Sequence, residues 1–185
     1  MPSIGGLRRN PAVSDSNVLA RLARFRVFLG FVFGAVVWWW STPTPQSVWA
    51  GAAVASLGEA TRVWAAGHLH KSREVTASGP YRWFSHPLYL GSSVLGVGLA
   101  IAASSLMVTV WIGLYLIVAL TIAAKSEEAH LRRTFGDRYD RYQNGAVDAT
   151  RRFSWAQVRA NHEHRALIGF LLAVGLLAFK AARNV

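Results

Sequence analysis

The sequence predicts an all-α integral membrane protein with about five transmembrane or membrane-embedded helices, two of them a hairpin that carries the candidate site. Three observations predict it. The chain is 52% hydrophobic and only 16% charged, against about 25% charge in an ordinary soluble domain. Residues 87–124 contain no charged side chain. The basic residues fall in clusters between apolar runs instead of being spread along them. With 185 residues the chain is long enough for one domain, read here as a single membrane domain over 1–185.

The first 24 residues form a basic arm. No small-residue cleavage site follows the first apolar run, which ends in Trp38, Trp39 and Trp40. It is therefore read as a retained span over Phe25–Ser41 with an aromatic interface anchor, not as a cleaved signal. A turn with Pro43 and Pro45 leads to a second span, Val48–Leu69. That span is rich in Ala and Gly and carries Glu59 and Arg62, three residues apart on one helix face. Ionisable groups inside a span are costly and often functional. They are read either as a mutual salt bridge that orients the helix or as substrate-binding residues.

A polar segment, His70–Ser85, ends near the turn signal Gly79-Pro80-Tyr81. Residues 87–124 as one helix would reach about 57 Å at 1.5 Å per residue, nearly two hydrocarbon cores. They are expected to fold back near Ala103–Ser105, bringing the His86 end and the Glu127 end to one membrane face. Beyond Lys125 the chain is amphipathic, with Leu131, Phe135, Tyr139 and Tyr142 on one face, as an interfacial helix would be. The last apolar run, Ala166–Phe179, is short and is read as a fifth span, a half-span or a surface helix, a fifth helix at membrane depth being favoured.

Lys and Arg set the orientation. Five lie within the first 26 residues, three between the second span and the hairpin, nine over 125–165 and none in the two remaining turns. The positive-inside rule then places the N-terminus and the hairpin mouth in the cytoplasm of a multi-pass protein of the inner membrane. The net charge of +11 is explained by topology, so no nucleic-acid partner is expected. With no cysteine, disulfides, thiolate nucleophiles and Cys-based zinc sites are excluded. His68, His70, His130, His162 and His164 do not form a metal-ligand pattern, and no metal is expected. There is no Gly-x-Gly-x-x-Gly after a strand and no Walker lysine.

Polar groups gather at the hairpin mouth: Tyr81, Arg82, His86, Pro87, Tyr89 and Gly91 before it, Glu127 and Glu128 after it. Pro87 suits a first helical turn, and the two Glu are read as the start of a helix leaving the mouth. A few polar groups on an apolar wall are how small-molecule sites are built. His86 capping the helix, and the Glu pair as a solvated first turn, are the plainer alternatives.

The pattern Gly-Pro-Tyr, His-Pro-Leu-Tyr-Leu-Gly, Glu-Glu and then Leu131, Phe135-Gly136, Tyr139 and Tyr142 resembles the isoprenylcysteine carboxyl methyltransferase and phospholipid N-methyltransferase superfamily of membrane proteins. The run Arg62–Gly67 resembles the segment those proteins carry upstream. The resemblance covers about residues 58–142. One position departs from it: the family has Arg directly before His-Pro, whereas this chain has Ser85, with Arg82 three residues earlier as the substitute charge.

The resemblance implies an S-adenosylmethionine pocket lined by Tyr81, His86, Pro87, Tyr89, Gly91, Glu127 and Glu128, with His86, Arg82 and Glu128 in catalytic roles. The chemistry is compatible. Aromatic faces stabilise a cation, a Glu accepts from a ribose or an ammonium, and His86 is a candidate base for an amine acceptor. The acceptor would be a lipophilic carboxylate or amine reached from the bilayer. Two other readings stay open: a membrane reductase of related fold using NADPH, and a non-catalytic scaffold or transporter.

Overall fold

The structure is a computed structural model that describes residues 34–70, 76, 78–135 and 152–183, with residues 126 and 129–135 described by their backbone alone. The basic arm, most of the first expected span, the charges at Lys71–Glu74, and Tyr139 and Tyr142 lie outside the described residues. So does the side-chain stripe begun by Leu131 and Phe135. The chain divides into two compact units, Met1–Trp39 and Trp40–Val185. In the first, the described residues 34–39 are helical. The second holds the remaining helices and the candidate site.

All regular structure among the described residues is helical: α1 (Pro45–His68), a 3₁₀ turn (Gly79–Arg82), α2 (Pro87–Ala103), α3 (Leu106–Phe135), α4 (Trp155–Ala160) and α5 (Glu163–Arg183). Two of these helices are long and apolar enough to cross a membrane, over Leu106–Lys125 and Glu163–Arg183; α2 is apolar but shorter. Leu106, Ile117 and Ile122 on α3 are 81%, 67% and 64% exposed. Such a face has no partner among the described residues and fits a lipid environment.

Helix α1 begins three residues earlier than the Val48 expected from hydropathy. The reason is local. Pro45 takes the first helical position, where a missing N–H costs nothing. Thr44 and Ser47 form a reciprocal capping box: Ser47 N donates to Thr44 Oγ1 at 3.1 Å, and Thr44 N donates to Ser47 Oγ at 3.0 Å. The far end of α1 is buckled by α4. Gln157 Nε2 donates to Leu69 O at 2.7 Å, Asn161 Nδ2 to Ala66 O at 2.9 Å and Leu69 O at 2.8 Å, and Ser154 N to Gly67 O at 3.0 Å. These bonds satisfy carbonyls that a helix end otherwise leaves unpaired.

The tightest helix pair is α1 with α2. Gly51 and Gly58 are seven apart on α1; Gly91 and Gly98 are seven apart on α2. A Cβ at Gly51 would stand 2.4 Å from Gly98 O and Ala102 N, and one at Gly58 would stand 2.6 Å from Gly91 O. The pairing of Gly51 with Gly98 and of Gly58 with Gly91 makes the helices antiparallel and backbone-to-backbone, with Ala55 fully buried between them. The chain leaves α2 at Ser104, which takes a left-handed φ of 49°. Thr42 N donates to Ala103 O at 2.9 Å and Thr42 Oγ1 to Ser104 O at 2.7 Å, so the start of α1 latches onto the end of α2.

Two further expectations are corrected. Helix α3 runs unbroken through Lys125 to Phe135, so Glu127 and Glu128 do not begin a helix; the alternative of a dipole-stabilised first turn falls with that. The last apolar helix is 21 residues long, not the short run over Ala166–Phe179. Helical propensity carries it through the polar residues at both ends, and Lys180 reaches Ser41 Oγ at 3.3 Å, its stem lying along the bundle.

Candidate active site

The N-terminus of α2 and the Glu pair of α3 meet at one end of the unit. His86 is the N-cap residue of α2, its carbonyl accepting from Tyr89 N and Leu90 N at 3.0 and 3.1 Å, but its side chain makes no capping bond and is directed to the Glu pair. Its Nε2 lies 3.2 Å from Glu128 Oε1 and its Nδ1 3.7 Å from Glu127 Oε2. Tyr89, one turn along α2, donates its hydroxyl to Glu127 Oε2 at 2.7 Å. The His86 and Tyr89 rings stack at 5.3 Å and 25°. Four polar groups separated by as many as 42 positions thus form one cluster: two carboxylates, an imidazole and a phenol.

The electrostatics follow from that geometry. The Glu127 carboxylate, through its hydrogen-bond interaction, raises the His86 pKa above its ordinary value; partial burial lowers it, and Glu128 raises it further. The two Glu side chains are about 40% exposed and His86 about 20%. The cluster is open enough to admit a ligand and is net negative.

The remaining expected site residues lie elsewhere. Tyr81 is buried with Ala65, Leu69 and Leu88 in the packing between the 3₁₀ turn, α1 and α2. Pro87 is fully buried. Gly91 faces α1: a Cβ there would stand 2.7 Å from Gly58 O and from Arg62 Cγ. Its bareness serves helix contact and not approach to a ligand. Arg82 is exposed and makes no ion pair among the described residues; it does not join the cluster.

Glu59 and Arg62 belong to a second, buried cluster. Arg62 Nε stands 3.5 Å from Glu59 Oε2, but the stronger partner is Glu163 at the start of α5. Arg62 Nη2 donates to both oxygens of Glu163, at 2.8 and 3.1 Å, and Nη1 donates to Ser92 Oγ on α2. One guanidinium therefore ties α1, α2 and α5. Sequence reasoning missed Glu163. The available signal was that it is the only acidic residue after Asp148 and stands directly ahead of an apolar run.

The donor set at the mouth suits part of S-adenosylmethionine. Two carboxylates and two stacked rings match a sulfonium, an ammonium and ribose hydroxyls. For the cofactor's carboxylate no free cation stands in the cluster among the described residues: Ser85 occupies the position before His86, Arg82 is apart, and Arg62 is engaged by Glu163. Comparison with curated proteins and with solved structures finds no match. A family model described as phospholipid methyltransferase matches residues 45–138, about half of the chain, from the capping box of α1 through α2 to the stretch just past α3. That span takes in both sides of the His86–Glu127–Glu128 cluster, and on that match the chain belongs to the phospholipid methyltransferase family.

Proposed function

We propose that the protein is a multi-pass membrane methyltransferase that uses S-adenosylmethionine and acts on a lipophilic carboxylate or amine at the cytoplasmic face. The observation that carries this reading is the His86–Tyr89–Glu127–Glu128 cluster at the mouth between α2 and α3, inside the matched family region. Glu127 and Glu128 would hold the ammonium or ribose of the cofactor, with the Tyr89 and His86 rings beside its cationic centre. The bound cofactor supplies an electrophilic methyl group for in-line displacement, and the protein's part is alignment. For a carboxylate acceptor no base is required. For an ammonium, His86 in its neutral form is the group positioned to take the proton. The basic clusters of the sequence favour a cytoplasmic mouth, and the apolar faces of α3 and α5 favour lateral access from the bilayer.

The test is calorimetric titration of S-adenosylmethionine into nanodisc-embedded protein, with NADPH as control. Saturable S-adenosylmethionine binding that falls about tenfold or more in Glu127→Ala and His86→Ala, with melting temperature little changed, is the expected result. Binding of NADPH alone would favour the reductase reading, although paired carboxylates are a poor match for its phosphates. Binding of neither would leave a scaffold or transporter.

A further inference from the structure

A cleft of ≈ 440 Å³ opens between α1 and α5, outside the mouth cluster, lined by Ser56, Glu59, Ala60, Val63, Trp64, Phe153, Leu167 and Phe170. Its size falls in the range of small-molecule sites. Its wall is apolar and aromatic except for Ser56 and one carboxylate. Glu59 is 4% exposed, and neither of its oxygens has a hydrogen-bond partner. Arg62, the one cation paired with it among the described residues, is largely engaged elsewhere: its terminal nitrogens go to Glu163 and Ser92, leaving only Nε toward Glu59 at 3.5 Å. The cluster thus holds two carboxylates against one guanidinium. None of the residues lining the cleft is basic.

A buried carboxylate with no hydrogen bond and only one long ion pair is costly, and Glu59 is among the residues that line the cleft. A ligand that fits must bring a positively charged donor for Glu59 and an apolar body for Val63, Leu167 and Phe170. Trp64, Phe153 and Phe170 line the same cleft, and aromatic rings are compatible with a cation. We propose that this cleft is a second binding site, separate from the mouth, for a single-chain lipophilic amine from the bilayer. The ammonium is held by Glu59 and the chain lies between α1 and α5. An acid of the same length is excluded by like charge.

The proposal is tested by equilibrium binding of dodecylamine, dodecanol and dodecanoate to the full chain in phosphatidylcholine nanodiscs, with empty nanodiscs subtracted for partitioning. Wild type is expected to bind dodecylamine saturably, one per chain, and about tenfold or more tighter than either other probe. Glu59→Gln keeps the size and removes the charge; it is expected to lose that preference. Leu167→Trp, at a partly exposed position of α5 that lines the cleft, narrows it and is expected to weaken dodecylamine binding about tenfold or more at unchanged melting temperature. If Glu59→Gln fails to fold, Leu167→Trp still decides. Equal affinity for the three probes, or an unchanged amine preference in Glu59→Gln, overturns the proposal. So does the absence of saturable binding by wild type, as when another part of the chain fills the cleft. S-adenosylmethionine binding is read in parallel on the same samples: its loss with amine binding intact would sink the methyltransferase reading and leave this site standing.

Discussion

The two charged clusters use nearly the same side chains and are built in opposite ways. At the mouth, Glu127 and Glu128 are about 40% exposed and share an imidazole and a phenol. Inside, Glu59 and Glu163 are buried and share one guanidinium that also bonds Ser92. Exposure decides what each can do. The mouth can exchange water for a ligand and change its protonation at little cost to the fold. The interior cluster cannot give up its cation without leaving carboxylates unpaired in a medium that solvates them poorly. The mouth is thus suited to chemistry, and the Arg62 cluster to holding α1, α2 and α5 in place around it.

That contrast breaks most directly at Arg62. Replacing it with Leu leaves Glu59 and Glu163 without a counter-charge and unties three helices. The expected cost is about 3–5 kcal/mol, read as a large fall in melting temperature in nanodiscs. The double change Arg62→Leu with Glu163→Leu should recover part of it. A single variant as stable as wild type would mean that the cluster is solvated and not structural. Glu128→Gln at the mouth, by contrast, is expected to shift the melting temperature little.

A smaller effect separates the packed glycines from the idle ones. Gly91→Ala places a methyl group 2.7 Å from Gly58 O. It forces α1 and α2 apart at a cost of about 1–3 kcal/mol, and it displaces the turn that carries Tyr89. Gly113→Ala on α3 meets nothing within 4 Å and should stabilise the helix by about 0.4–1 kcal/mol. Thermal melts of the two variants test the pair. Equal effects would show that the α1–α2 contact is loose enough to absorb a methyl group.

Much of the mouth was legible in the sequence because its parts are local motifs. His86-Pro87 marks a helix start, a long uncharged stretch forces the chain to turn, and Glu127–Glu128 stands at its far end. All-helical structure was legible from composition and periodicity. The buried cluster was only half legible. Glu59 and Arg62 share a helix face and could be paired on sight, but the bidentate partner of Arg62 lies 101 positions away in a helix whose start hydropathy alone placed too late. Nor does any rule of spacing distinguish Gly91 facing a ligand from Gly91 facing Gly58. That distinction depends on which side of α2 meets α1, and it is set by the matched seven-residue intervals of four glycines read together. The role given to Arg82 rests on the resemblance and on its charge, and neither fixes the direction of its side chain.

The smallest expected effect sharpens the comparison furthest, because it reads the imidazole at the mouth directly. The Glu127 interaction, chiefly, and Glu128 hold the His86 pKa above its ordinary value despite partial burial. A raised pKa means that the folded state favours the imidazolium. Its contribution to stability is therefore complete below about pH 6.5 and is lost as pH rises through the folded value, which lies higher. Melting temperature followed from about pH 6 to pH 9 should fall slightly more in wild type than in Glu127→Gln, where the main cause of the shift is gone. The effect is small because the pair is screened by solvent. The same titration bears on the acceptor. If His86 takes a proton from an ammonium, methyl transfer should rise with pH through the raised His86 pKa, and that limb should move to lower pH in Glu127→Gln. If the acceptor is a carboxylate, no proton need leave it, and the profile should be flat over the window in which the stability of the same protein changes.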